Sequence, residues 1–163
     1  VETVTENGVP IDGLCHAGTQ HSHLPISNKC SRSYESGDYA ASFREWKPLA
    51  EQGDASAQFN LGQIYRRGQG VPKNDKTAVK WYRLAAEQGY ANAQGNLGLM
   101  YALGDGVVAD YMPAYMWLKI AASSGNKLAI KNIDAIAKRM TPTDISSAQK
   151  LARECVRKKY KGC

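Results

Sequence analysis

No cysteine interrupts the 124 residues between Cys30 and Cys155, and no histidine follows His23. Without imidazole the body of the chain cannot assemble a Ser-His-Asp or Cys-His nucleophile set. No apolar run approaches the ~18–20 residues that a membrane span requires. No phosphate-cradling loop is present either, because Gly68-x-Gly70 and Gly104-x-Gly106 connect helical patterns and do not follow a strand. Acidic residues are scarce at one end: residues 131–163 hold 9 Lys/Arg against 3 Asp/Glu, whereas residues 1–130 hold 12 of each. The net charge of +6 is therefore a C-terminal feature. That excludes a uniformly basic nucleic-acid coat and leaves a local docking patch open. The 163 residues, 43% hydrophobic and 22% charged, fit one globular domain or one domain with a tail.

What the chain has is a repeat. Ala55-Ser56-Ala57-Gln58-Phe59-Asn60-Leu61-Gly62 returns 36 residues later as Ala91-Asn92-Ala93-Gln94-Gly95-Asn96-Leu97-Gly98. Tyr65, Gly68, Gly70, Val71, Ala78, Trp81, Ala85, Ala86 and Gly89 recur with the same offset at Tyr101, Gly104, Gly106, Val107, Ala114, Trp117, Ala121, Ala122 and Gly125. A weaker third copy places Ala129, Asn132 and Ile133 36 residues beyond Ala93, Asn96 and Leu97, and a degenerate half-unit around Trp46, Leu49, Ala50 and Gly53 precedes the first.

Each unit reads as two antiparallel helices. Ala78, Trp81, Tyr82, Ala85 and Ala86 form one apolar stripe at helical spacing. Asn74 and Asp75 suit its N-terminus, and Gly89 its end. Gly98 inside the next helix costs ~1 kcal/mol relative to Ala, so its recurrence from Gly62 predicts a close helix approach. The pattern predicts helices near 38–51, 55–67, 74–88, 91–103, 110–123 and 127–139, then a last one over about 142–160 capped by Thr141 with Pro142 in its first turn. The fold class is all-α: an α-solenoid of about three helix pairs over 35–140, a capping helix and basic tail over 141–163, and an irregular arm over 1–34.

The chain resembles the Sel1-like repeat proteins, relatives of the tetratricopeptide solenoids. The resemblance rests on Ala57-Gln58-x-Asn60-Leu61-Gly62-x-x-Tyr65-x-x-Gly68-x-Gly70-Val71 and on Ala78-x-x-Trp81-Tyr82-x-x-Ala85-Ala86-x-x-Gly89, repeated in the second unit with Leu118 after the Trp. It covers about residues 35–160. It implies an adaptor, often exported, that binds other proteins, with no catalytic motif. A cysteine-rich subgroup in Helicobacter closes each repeat with a Cys-x7-Cys bridge and has been associated with penicillin binding and β-lactamase activity. Cys155 and Cys163 have that spacing, but positions 85, 93, 121 and 129 hold Ala.

Four cysteines in two local pairs predict two disulfides and an oxidising compartment. Three connectivities are open, and Cys15–Cys30 with Cys155–Cys163 is the local one; four reduced thiols are the other reading. The chain opens Val1-Glu2-Thr3, which fits an exported chain after signal removal as well as a trimmed one. In the arm, His16, His21 and His23 beside Cys15 are candidate Zn or Cu ligands, or plain loop histidines with no metal.

Candidate partner-binding residues are Tyr39, Arg83, Tyr111 and Tyr115, the last two placed on a helix that in related solenoids faces the concave groove. At the basic end Lys158, Lys159 and Lys161 form either a solvated cap or a surface for an acidic protein, an anionic membrane or a cell-wall polymer. The expected function is a non-catalytic interaction or assembly scaffold of the bacterial periplasm or envelope, holding a protein or multi-subunit complex on its concave face and arm. No cofactor and no nucleic-acid partner are expected. The alternatives are a penicillin-binding or β-lactamase-type hydrolase and a metal-carrying arm.

Overall fold

The computed structural model describes residues 33–163. Among these it is all-helical: α1 (Tyr39–Glu51), α2 (Ala55–Arg67), α3 (Asp75–Ala86), α4 (Ala91–Leu103), α5 (Tyr111–Ser123), α6 (Lys127–Ala137) and α7 (Pro142–Arg157). The helices start where a short polar side chain can take an orphan backbone N–H. Asp38, Asn74 and Asp110, each 36 residues apart, accept from Ala41, Thr77 and Met112. Asp54 and Asn126 accept from Ala57 and Ala129, while Tyr90 between them makes no capping bond and stacks on Phe59 with centroids 5.2 Å apart. Gly68 and Gly104 end α2 and α4 in the left-handed conformation.

The core alternates between successive helix pairs. Trp46, Leu49, Leu61 and Ile64 fill the first part; Tyr82, Leu97, Met100 and Trp117 the middle; Ala114, Leu118, Ala129 and Ala148 the last. Small residues set the spacing. A Cβ on Gly62 would lie 2.6 Å from the Tyr82 ring, and one on Gly98 would lie 2.9 Å from Leu118 Cγ and 3.0 Å from the Ala114 carbonyl. These are the close helix approaches that the recurring glycines predicted. Two buried glutamines tie neighbouring helices: Gln58 Nε2 donates to the Ala50 carbonyl and Gln94 Nε2 to the Ala86 carbonyl, both at 3.1 Å. Each adds a side-chain bond to a carbonyl in the last turn of the preceding helix that also accepts from the turn beyond, Ala50 from Gly53 N–H and Ala86 from Gly89 N–H.

Three helix ends differ from the sequence reading, one of them α6, predicted to 139 and ending at Ala137. The stripe predicts a helix to Gln88, but α3 stops at Ala86 and the chain turns through Gly89 at φ +84°. The last helix stops at Arg157, because Lys159 and Tyr160 take φ of 52° and 64° and fold the chain back. That reversal brings Cys163 to Cys155 in a disulfide with Cα atoms 5.6 Å apart. Tyr160 then packs against the α3–α4 turn, where a Cβ on Gly89 would meet its ring at 3.0 Å. The Cys15–Cys30 pairing lies outside the described residues, as do His16, His21 and His23.

Candidate partner groove

An open groove of about 620 Å³ runs across the repeats. From α2 it takes Phe59, Gln63, Arg66 and Arg67; from α4, Asn92, Asn96 and Leu99; and from the start of α6, Asn126 and Leu128. Lys73 and Asp75 at the head of α3, with Asp105, close one side, and Tyr82 forms part of the floor. The inner layer is thus α2, α4 and α6. The outer layer is α1, α3 and α5, with α7 packed over α5.

That layering relocates the four residues picked from sequence, none of which lines the groove. Tyr39 lies half-buried on α1 with its ring edge-on to Tyr34 at 5.1 Å. Arg83, on α3, donates to the Tyr101 hydroxyl, with its guanidinium carbon 5.9 Å from the centre of that ring. Tyr111 accepts from Arg139 Nη1 at 2.8 Å and carries that guanidinium 5.9 Å from its ring centre. Tyr115 is buried, 6% exposed, and its hydroxyl accepts from Gln149 of α7 at 3.3 Å. Helix α5 therefore does not face the groove; α7 covers the side of it that the sequence reading placed there. Lys158, Lys159 and Lys161 are exposed on the disulfide-closed tail, apart from the groove.

Most of the residues that build the groove are polar, and several hold one another. Asn126 Nδ2 donates to Asn92 Oδ1 at 2.7 Å, linking the heads of α4 and α6. The Tyr82 hydroxyl is hydrogen-bonded to the side chains of Asn96 and Arg66. Burial raises the Tyr82 pKa above its ordinary value, opposed by the nearby Arg66 charge and by these two bonds, so the phenol stays protonated at neutral pH. Arg67 Nη1 donates to the Tyr34 hydroxyl at 2.8 Å, and Tyr34 in turn donates to Gln69 Oε1. Lys73 and Asp75 pair at 3.4 Å across the rim. One oxygen of Asp75 is buried without a hydrogen-bond partner. The arrangement offers directed donors and acceptors over an open surface. Among the described residues no group of three or more His, Cys, Asp or Glu could hold a metal, and no helix is long and apolar enough to cross a membrane.

Sequence reasoning passed over these groove residues. Asn92 was visible as part of the repeated block and Asn96 as a recurring position. Arg66 and Arg67 left no repeat signal, because their equivalents 36 residues on are Ala102 and Leu103.

Comparison with known proteins agrees with the repeat. The Sel1 repeat family model matches residues 55–90 and 91–126. Its frame begins with the inner helix of each pair. A sel1-like repeat-containing protein of Acanthamoeba polyphaga mimivirus is 51% identical over 35 residues, which is 22% of this chain and 6% of that protein. Among solved structures, a protective antigen of uropathogenic Escherichia coli with an SLR fold superposes with TM-score 0.76 at 28% identity, over 82% of this chain and 30% of that one. A Sel1 repeat protein from Oxalobacter formigenes superposes with TM-score 0.61 at 34% identity, over 64% of this chain and 43% of that one. The chain spans less than half the length of each of these relatives.

Proposed function

From the premise that this chain is a Sel1-like repeat protein, we propose that it is a non-catalytic scaffold holding a partner protein in the groove of α2, α4 and α6. Repeats of this kind form protein-interaction scaffolds. The finer reading is that it works in the bacterial periplasm or envelope, with the arm of residues 1–34 extending the contact. The observation that carries the groove assignment is its lining: polar side chains from three successive repeat helices, held by one another and open to solvent. Solenoid stacking creates such extended surfaces as a by-product of its per-repeat rotation. The Cys155–Cys163 disulfide supports the oxidising compartment.

A photo-cross-linking residue placed at Gln63, in the native host, tests the groove. We expect a discrete protein adduct there and none from the same residue at Lys119, which is exposed on the outer layer. Adducts of equal yield from both positions, or none from Gln63, would overturn the assignment. A third cross-linker at Ser27 reports on the arm, and the cell fraction holding the adduct reports on location.

A further inference from the structure

Resting on that reading, we infer that the groove takes an extended peptide segment of the partner carrying Asp or Glu side chains, with Arg66 and Arg67 as its anion anchors. The groove's charges divide unevenly. Lys73 and Asp75 already pair with each other at 3.4 Å. That leaves two guanidinium groups facing a single further carboxylate, Asp105. Among the described residues neither arginine is within ion-pair distance of an acid. Each instead meets a phenol: Arg67 Nη1 donates to the Tyr34 hydroxyl at 2.8 Å, and Arg66 lies beside the Tyr82 hydroxyl. A phenol orients a guanidinium without neutralising it. Of the five N–H donors on each, most remain for a ligand.

Guanidinium groups fixed this way match carboxylates, and charge-assisted bonds of this type are about twice as strong as neutral ones. The remaining polar lining suits a peptide main chain. Gln63, Asn92 and Asn96 present amide donors and acceptors along the same surface. The groove is open and crosses several helices, so it fits an elongated chain and not an enclosed small molecule. Its aromatic rings are already engaged: Phe59 stacks on Tyr82 and Tyr90 at 5.8 and 5.2 Å, which leaves no free platform for nucleic-acid bases.

The probe is a fluorescein-labelled dodecapeptide of alternating Glu and Ser, blocked at both ends, titrated against the full chain by anisotropy. Its Gln/Ser analogue is the neutral reference. We expect the Glu peptide to bind at least about tenfold tighter, and to weaken as salt rises from 50 to 200 mM. Arg66→Gln or Arg67→Gln should remove that preference. Lys73→Gln, at an exposed site that does not disturb the core, frees the Asp75 carboxylate and should also weaken the Glu peptide. Lys131→Gln on the exposed side of α6, with Lys138→Gln just past its end, should change affinity by less than about twofold. Equal binding of the Glu and Gln peptides, lost with Asn96→Ala, would overturn the acidic preference while leaving the groove as the partner site. No binding of either peptide, with a native adduct still forming at Gln63, would do the same. If no adduct forms either, the groove reading falls as well. Tighter binding of polyuridylate than of the Glu peptide would overturn the peptide assignment.

Discussion

The two repeats at 55–126 and the closing region at 127–163 are held together by different means. In the repeats each interlock occurs twice. Gly62 takes the ring of Tyr82, and 36 residues on Gly98 takes Leu118. Gln58 reaches Ala50, and Gln94 reaches Ala86. Gly70 lies against the backbone of Tyr39 and Ala40, and Gly106 against that of Asp75 and Lys76. The Tyr65 carbonyl accepts from Asn74, and the Tyr101 carbonyl from Asp110, both at 2.9 Å. In the third copy these positions become Ile130, Asp134 and Pro142, and the pattern stops. There Ile130 is 53% exposed. Helix α7, the Arg139–Tyr111 and Gln149–Tyr115 contacts and one disulfide take over. A repeat can hold itself by backbone approach because an identical neighbour is always in register. A terminus has no such neighbour and uses side chains and a covalent link.

Gly106 and Gly162 test this difference most severely. Both have positive φ, +70° and +65°. A Cβ on Gly106 would lie 2.4–2.6 Å from the backbone of Asp75 and Lys76, whereas one on Gly162 would meet nothing within 4 Å. Left-handed strain alone costs about 1–2 kcal/mol, and overpacking adds about 1–3 kcal/mol. Gly106→Ala should therefore lose about 3 kcal/mol or more in urea unfolding, and Gly162→Ala only the strain. Equal losses would erase the distinction between backbone interlock and open turn.

The repeat was legible because its positions are dictated twice. The offset of 36 located six helices and the Thr141–Pro142 start signal the seventh, most ends agreeing within two residues. Layering was not legible, and α5 shows why. A single stripe through Ala114, Trp117 and Ala121 suggested one buried face and a free one bearing Tyr115. In the fold Ala114, Tyr115, Met116, Trp117 and Leu118 are all buried, because α7 covers the second side. A helix apolar on nearly every side is enclosed, and its stripe does not say by what. The groove arginines escaped for the opposite reason: recurrence selects packing positions, whereas Arg66 and Arg67 are where the two units differ.

The disulfide is the next largest effect. Closing a loop of about eight residues restricts the unfolded chain by roughly 2–2.5 kcal/mol. Replacing both Cys155 and Cys163 by Ser should remove up to that amount. Hydrogen exchange should rise at the α7 C-terminus and around Gly89, where Tyr160 packs, with α2 and α4 unchanged at their centres. Uniform acceleration through the repeats would mean that the tail is part of the same interlock and not a separate closure.

The glutamines give the smallest and most discriminating effect, because the two copies of that latch are unequal. Gln58 is bonded at both ends of its amide, donating to Ala50 and accepting from Gln88 Nε2 at 2.8 Å. Gln94 donates to Ala86, but its own Oε1 is buried without a partner. The position matching Gln88 is Ser124, whose hydroxyl bonds back to the Ile120 carbonyl. Each hydrogen bond is worth about 1 kcal/mol net, while an unsatisfied buried acceptor costs about 1–3 kcal/mol. Gln58→Ala should thus lose about 1 kcal/mol more stability than Gln94→Ala in matched urea unfolding, although both glutamines occupy the same place in the repeat. If the two substitutions cost the same, the latch acts through packing alone. If the difference appears, the interlock weakens toward the closing region one hydrogen bond at a time before the repeat itself ends.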